Sequence, residues 1–153
     1  MLNNIGETLL FISFLAGLIG LYSYFVGIRK KSNLLVSIGT RSILAIFALL
    51  SISVLVLIYL LTTKDYSNAY VAKNISNDLS FIYSIAALWA GQEGSLLLWS
   101  WILSLYTLTI RFSKPFKSLL PSSESVSLFI LSFFIFLIVF VESPFDTLGT
   151  IPL

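Results

Sequence analysis

The 153-residue chain contains no cysteine and no histidine. The first absence excludes disulfides, thiolate metal sites and thiol redox chemistry. The second removes the usual axial haem ligand and the commonest metal ligand. Charge is scarce too: Asp, Glu, Lys and Arg make up 10% of the residues, where a soluble domain carries about 25%. Hydrophobic residues reach 58%, and the mean hydropathy is +0.99. So few charges cannot cover a globule in water, and the composition points to an all-α integral membrane protein. The formal net charge of +2 decides little, because its distribution matters more than its sum. No nucleic-acid partner is expected.

Four apolar stretches stand out, at about 9–28, 43–61, 81–110 and 126–141. Each has or approaches the ~20 residues needed to cross a hydrocarbon core ~30 Å thick. They read as one four-helix membrane domain over 1–153. The third stretch is too long for a single perpendicular crossing. It is either a short interfacial helix leading into a span or one long tilted helix.

Seven of the nine basic residues flank two connections: Arg29, Lys30, Lys31 and Arg41 after the first stretch, and Arg111, Lys114 and Lys117 after the third. By the positive-inside rule those connections face the cytoplasm or its organelle equivalent. Both termini and the connection 62–80, which holds Lys64, Lys73, Asp65 and Asp78, then face outward. The first stretch is expected to be a retained span, because "MLNNIGET" carries Glu7 and no basic residue, unlike a signal peptide. In "SLLPSSESVS", Ser123 or Ser125 is expected to cap the last span, and Glu124 would suit the positive end of its dipole.

Tyr59, Tyr66, Tyr70 and Tyr83 fall near the expected outer interface, as an aromatic belt or as the wall of a ligand surface. Asn74-Ile75-Ser76 matches a glycosylation sequon, a weak signal. Between them and the next span lies "WAGQEGSLLLW", Trp89–Trp99, an ionisable Glu93 between glycines in oily surroundings. On a continuous helix, Ala87, Gly91 and Ser95 share one stripe, as do Ala90 and Gly94. Small residues at that spacing let a second helix approach closely. Ala16 with Gly20, and Ser13 with Gly17, offer the same device in the first span. Trp89, Glu93, Leu97, Ser100 and Ser104 form another stripe, expected to face protein or a hydrated cavity.

Glu93 admits three readings, since an acid at mid-bilayer costs about 2.5–3.5 kcal/mol. It sits solvated at the interface or caps the following helix; it pairs with a group on another subunit; or it lines a ligand or proton path. No Lys, Arg or His lies within the apolar stretches to pair with it, which favours a partner chain, a protonated acid or water. Trp89, Trp99 and Trp101 are membrane anchors or a stacking surface for a flat macrocycle.

"LWAGQEGSLLLW" resembles the W-G-x-(H/Q)-E-G-S-L-L-L-W signature of CcmF-type cytochrome c biogenesis proteins, in the haem-handling superfamily with CcmC and CcsA. The flanks agree: "YSNAYVAKNISNDLSFIYSIAALW", "GETLLF" and "VESPFDTLGTIP" each resemble family segments, so the likeness covers essentially the whole chain. Two positions depart from the family, Gln92 where histidine is frequent and Ala90 where glycine is. Gln92 keeps a hydrogen-bonding group but does not titrate near neutrality. The family's tryptophan-rich region and haem-ligating histidines lie beyond the part that this chain resembles.

The resemblance implies that the chain works with a companion chain in an assembly that attaches haem to apocytochrome c. A haem carrier would deliver the haem, and haem b would be ligated by the companion. Trp89, Gly91, Gln92, Glu93, Gly94, Ser95 and Trp99 would form the motif and docking face, with no catalytic or metal-binding residue here. A multi-pass protein of the cell inner membrane, or of an organelle inner membrane, is implied. The competing class is a small accessory subunit of a respiratory or transport complex, with Glu93 in a proton path.

Overall fold

The computed structural model describes residues 1–110 and 119–149, so Arg111, Lys114 and Lys117, which counted toward orientation, lie outside the described residues. The elements are α1 (Leu2–Arg29), α2 (Asn33–Thr63), α3 (Ala69–Asn74), α4 (Phe81–Ala86), a 3-10 turn (Ala87–Trp89), α5 (Gln92–Ile110) and α6 (Leu120–Phe140). Among the described residues there is no strand, only one isolated bridge between Asn68 and Thr147. α1, α2 and α6 are long and apolar enough to cross a membrane. α5 is shorter, at 19 residues, and carries Gln92 and Glu93 in its first turn.

The helices close a ring: α1 packs on α2 and α6, and α5 packs on the other sides of α2 and α6. What α1 buries explains its place. Gly6, Leu10, Ser13, Gly17, Gly20, Tyr24 and Gly27 recur at three- and four-residue spacing along one face. Lipid is as apolar as leucine, so helices associate there through close packing, and small residues permit it. A methyl on Gly17 would stand 2.5 Å from Ser132 Oγ of α6, and one on Gly20 would stand 2.7 Å from Leu128 Cδ2. The small-residue face expected in the first span is therefore used within the chain. α2 answers with Ile43, Ile46, Leu50, Leu57 and Leu60, all nearly or fully buried.

Both long-helix connections turn on lysines in the left-handed region, Lys31 (φ 50°) and Lys64 (φ 55°). Lys64 also ties down the loop behind it, donating through Nζ to the Asn77 and Leu79 carbonyls at 2.5 and 3.1 Å.

At the Arg29 end, Glu124 departs from expectation. The serines beside it make no side-chain cap, and α6 already starts at Leu120, with Pro121 in its first turn. Glu124 is buried instead, at 2% exposure. It accepts a hydrogen bond from Tyr24 Oη at 2.5 Å and one from Thr40 Oγ1 at 3.3 Å. This carboxylate joins α1, α2 and α6.

At the opposite end the chain after α6 folds back over the start of α1. Phe145 is fully buried against Gly6, where a methyl would lie 2.5 Å from the ring. Asn68 locks the arrangement, donating through Nδ2 to Asn3 Oδ1 (3.2 Å) and the Pro144 carbonyl (3.0 Å). Its Oδ1 accepts the Val71 N–H at 2.9 Å and so caps α3. The Ala69 N–H bonds the Asp146 carbonyl at 2.8 Å. The start of α1, the 62–80 connection and residues 141–149 thus share one end of the bundle.

Candidate functional site

The apolar stretch 81–110 is not one helix. α4 tightens into the 3-10 turn, the chain bends at Ala90–Gly91, and α5 starts at Gln92. A break in a helix leaves backbone groups without their helical partners, and buried ones must be satisfied elsewhere. Tyr70, from α3, satisfies them. Its hydroxyl donates to the Ala87 carbonyl at 2.8 Å and accepts the Gly91 N–H at 3.1 Å. The ring is 3% exposed. Burial pushes the phenol above its ordinary value against the opposing effect of the Gly91 hydrogen bond, with the Glu93 carboxylate adding to the rise.

The motif glycines now have a reason. A methyl on Gly91 would stand 2.6 Å from Tyr70 Cε2, and one on Gly94 would strike the Tyr70 hydroxyl and the Leu88 carbonyl. Gly91 and Gly94 therefore receive a ring of their own chain, where continuous helical spacing suggested a second helix. Ser95 Oγ donates to the Gly91 carbonyl at 2.8 Å. Tyr70 also leaves the expected aromatic belt, while Tyr59 and Tyr83 remain more than half exposed.

Glu93 also finds its partner inside the chain. Lys73 Nζ lies 3.3 Å from Glu93 Oε1, a pairing the apolar stretches by themselves did not offer. The Lys73 side chain is 68% exposed and the Glu93 side chain 13%. Glu93 Oε2 is buried with no hydrogen-bond partner among the described residues. A groove of about 480 Å³ opens beside it, lined by Tyr70, Lys73, Glu93, Glu142, Ser143 and Asp146 among others. Burial raises the Asp146 carboxyl above the usual carboxylate range, and the Glu93 charge adds to the rise. One cation among three carboxylates leaves this groove acidic. Asn74, of the sequon, donates through Nδ2 to the Tyr70 carbonyl at 2.9 Å.

Of the other expected site residues, Trp89 and Trp99 are 63% and 58% exposed, and Gln92 is exposed. The helix break takes Trp89 off the stripe it would share with Glu93. Along the rest of that stripe Leu97, Ser100 and Ser104 are fully buried. Ser100 and Ser104 donate to the carbonyls of Leu96 and Trp101, both at 2.8 Å or less, so their own helix satisfies them. Trp101 anchors helices rather than membrane: its indole N–H donates to Ser51 Oγ at 2.9 Å, and its ring stacks on Phe47.

No protein-family model matches the chain. Curated relatives do. The probable cytochrome c-type biogenesis protein NrfE of Escherichia coli is 32% identical over 79% of this chain and 22% of its own length. The cytochrome c-type biogenesis protein CcmF of Pseudomonas aeruginosa is 28% identical over 97% of this chain and 23% of its own. The CcmF of Haemophilus influenzae is 33% identical over 55% of this chain and 13% of its own. Among solved structures, a cytochrome c haem lyase CcmF superposes with a TM-score of 0.84 at 28% identity, over 98% of this chain and 25% of the other. The chain is accordingly a CcmF-type cytochrome c biogenesis protein, spanning a quarter or less of the length of the relatives it matches.

Proposed function

We propose that this chain is the membrane framework of an inner-membrane assembly that attaches haem to apocytochrome c. The observation behind the reading is the agreement of fold and sequence over 98% of the chain with the solved cytochrome c haem lyase CcmF. In this reading α5 is the fourth crossing. The end bearing Met1, the 62–80 connection and residues 141–149 faces the extracytoplasmic side. The basic group Arg29, Lys30, Lys31 and Arg41 at the other end supports that orientation.

The chain lacks the usual donors to a haem iron. There is no histidine or cysteine, and the single methionine, Met1, is 98% exposed. Haem b would be ligated by a companion chain carrying the tryptophan-rich region and histidines. This chain contributes packing and an outer face where apocytochrome c and a haem carrier would be met. Exposed Trp89, Gln92 and Trp99 form the docking edge, and Gly91, Glu93, Gly94 and Ser95 hold that edge in shape through Tyr70 and Lys73.

Isolation from native membranes tests this. The expected result is co-purification with a histidine-bearing membrane chain whose haem spectrum follows the pair and is absent from this chain by itself. Co-purification with redox or transport subunits and no haem-handling chain would overturn it in favour of an accessory subunit.

A further inference from the structure

A second feature lies at the far end of the bundle from the Tyr70 face. A groove of about 600 Å³ runs along the joint of α1 and α6. Its α1 wall includes Tyr22, Phe25, Ile28 and Arg29, and its α6 wall Val126 and Phe129. Tyr22, Phe25, Val126 and Phe129 are 57% to 70% exposed. The α1 wall from Leu21 to Arg29 extends ~12 Å along the helix at ~1.5 Å per residue, which makes the groove a slot parallel to the span.

The slot ends in cations. Arg29, in the last turn of α1, holds its guanidinium 4.1 Å from the Phe25 ring centroid. No carboxylate neutralises it, for the one ion pair among the described residues is Lys73–Glu93 at the opposite end. Ile28 also lines an adjoining recess together with Lys31, which puts a second basic residue next to this end of the groove. The grooves at the other end carry Glu7, Glu142 and Asp146 instead.

We propose that this groove holds an anionic phospholipid, with an acyl chain along Tyr22, Phe25 and Phe129 and the phosphate between Arg29 and Lys31. The complement of an apolar slot with a doubly basic mouth is a hydrocarbon chain ending in negative charge. Basic pockets between spanning helices take such headgroups. A zwitterionic lipid brings no net negative charge to the two cations, and its own ammonium would be repelled by them. The site rests on α1 and α6 lying in the bilayer and is independent of the haem reading.

The test uses the full chain in vesicles of equal parts phosphatidylglycerol and phosphatidylcholine with matched acyl chains. Lipids retained by the protein are counted by native mass spectrometry. Phosphatidylglycerol should be retained preferentially. Arg29→Gln combined with Lys31→Gln should lower that preference about five-fold or more, given the attraction per basic residue. Arg29→Lys should keep it, and Phe129→Ala should lower retention of both lipids. Helix content in the same vesicles reports insertion separately, so a failure of the membrane placement is distinguishable from a failure of the site. Equal retention of the two lipids by the unaltered chain would overturn the proposal. So would an unchanged preference in an inserted double variant, or a photocrosslink from position 126 to a protein in native membranes.

Discussion

The Tyr70 hydroxyl accepts the Gly91 N–H at 3.1 Å, 21 residues further along the chain. That bond, with its companion to the Ala87 carbonyl, closes the gap where α4 and its 3-10 turn give way to α5. A short helix outside the candidate spans thereby shapes the entrance of an apolar one. Tyr70→Phe should destabilise the protein by about 1–3 kcal/mol, because two buried backbone groups lose their partner. Thermal unfolding in detergent and hydrogen exchange at 87–94 would register it, with Tyr66→Phe as the exposed control. An unchanged exchange rate would remove Tyr70 from this role.

The close approach of Gly94 to the same ring yields a coupling. Gly94→Ala should destabilise by about 1–3 kcal/mol through overpacking. Tyr70→Ala would remove one of the two clashes and leave that with the Leu88 carbonyl. The double variant should then be less unstable than the sum of the two singles, since residues in contact couple. Strict additivity would mean that Gly94 is required by something other than Tyr70.

Lys73 and Glu93 are unequally exposed, and the two ends of their ion pair should behave differently. Lys73→Met should destabilise by about 1 kcal/mol, more than loss of a fully exposed pair does, because it leaves a mostly buried carboxylate without its cation. Glu93→Ala should reduce cytochrome c maturation more than it reduces the amount of this protein in membranes. Immunoblots for the protein and haem staining of c-type cytochromes measure the two losses. Equal losses would leave Glu93 with a folding role only.

Asp146 provides a pH dependence. Its carboxyl is raised by burial first and by the Glu93 charge second, so the folded state holds the proton more tightly than the unfolded chain does. Ionisation therefore destabilises. The penalty is absent below the ordinary carboxylate range, grows as pH rises through it, and is complete above the raised folded value. Asp146→Asn keeps the backbone carbonyl that bonds Ala69. It should raise Tm at neutral pH, with a gain that shrinks to nothing in acid. A gain of equal size at all pH values would assign the effect to packing.

At the other end, Tyr24→Phe keeps the ring that packs on Gly39 and removes a hydrogen bond to buried Glu124. A loss of about 1–3 kcal/mol is expected, with Tyr22→Phe, 70% exposed, close to neutral. Thermal unfolding of the two variants side by side would check it.

Much was legible in the residues alone. Long apolar runs and 10% charge are enough to place the chain in a membrane, because hydrocarbon accepts little else. The lack of histidine and cysteine removes the usual haem-iron ligands without any coordinates. The Glu-Gly-Ser-Leu-Leu-Leu-Trp run at Glu93–Trp99 pointed to the family that the relatives confirm. Periodicity failed where it assumed an unbroken helix. Ala87, Gly91 and Ser95 share a stripe only if nothing interrupts them, and the bend at Ala90–Gly91 does.

Contacts between distant segments were decided by tertiary structure alone. No local pattern links Tyr70 to Gly91, Lys73 to Glu93, Phe145 to Gly6 or Tyr24 to Glu124. Side-chain period reports which face of one helix turns inward. It carries no information about which residue from elsewhere in the chain meets that face. A polar group in apolar surroundings must be answered, and the chain's own composition says so; only the fold says by whom.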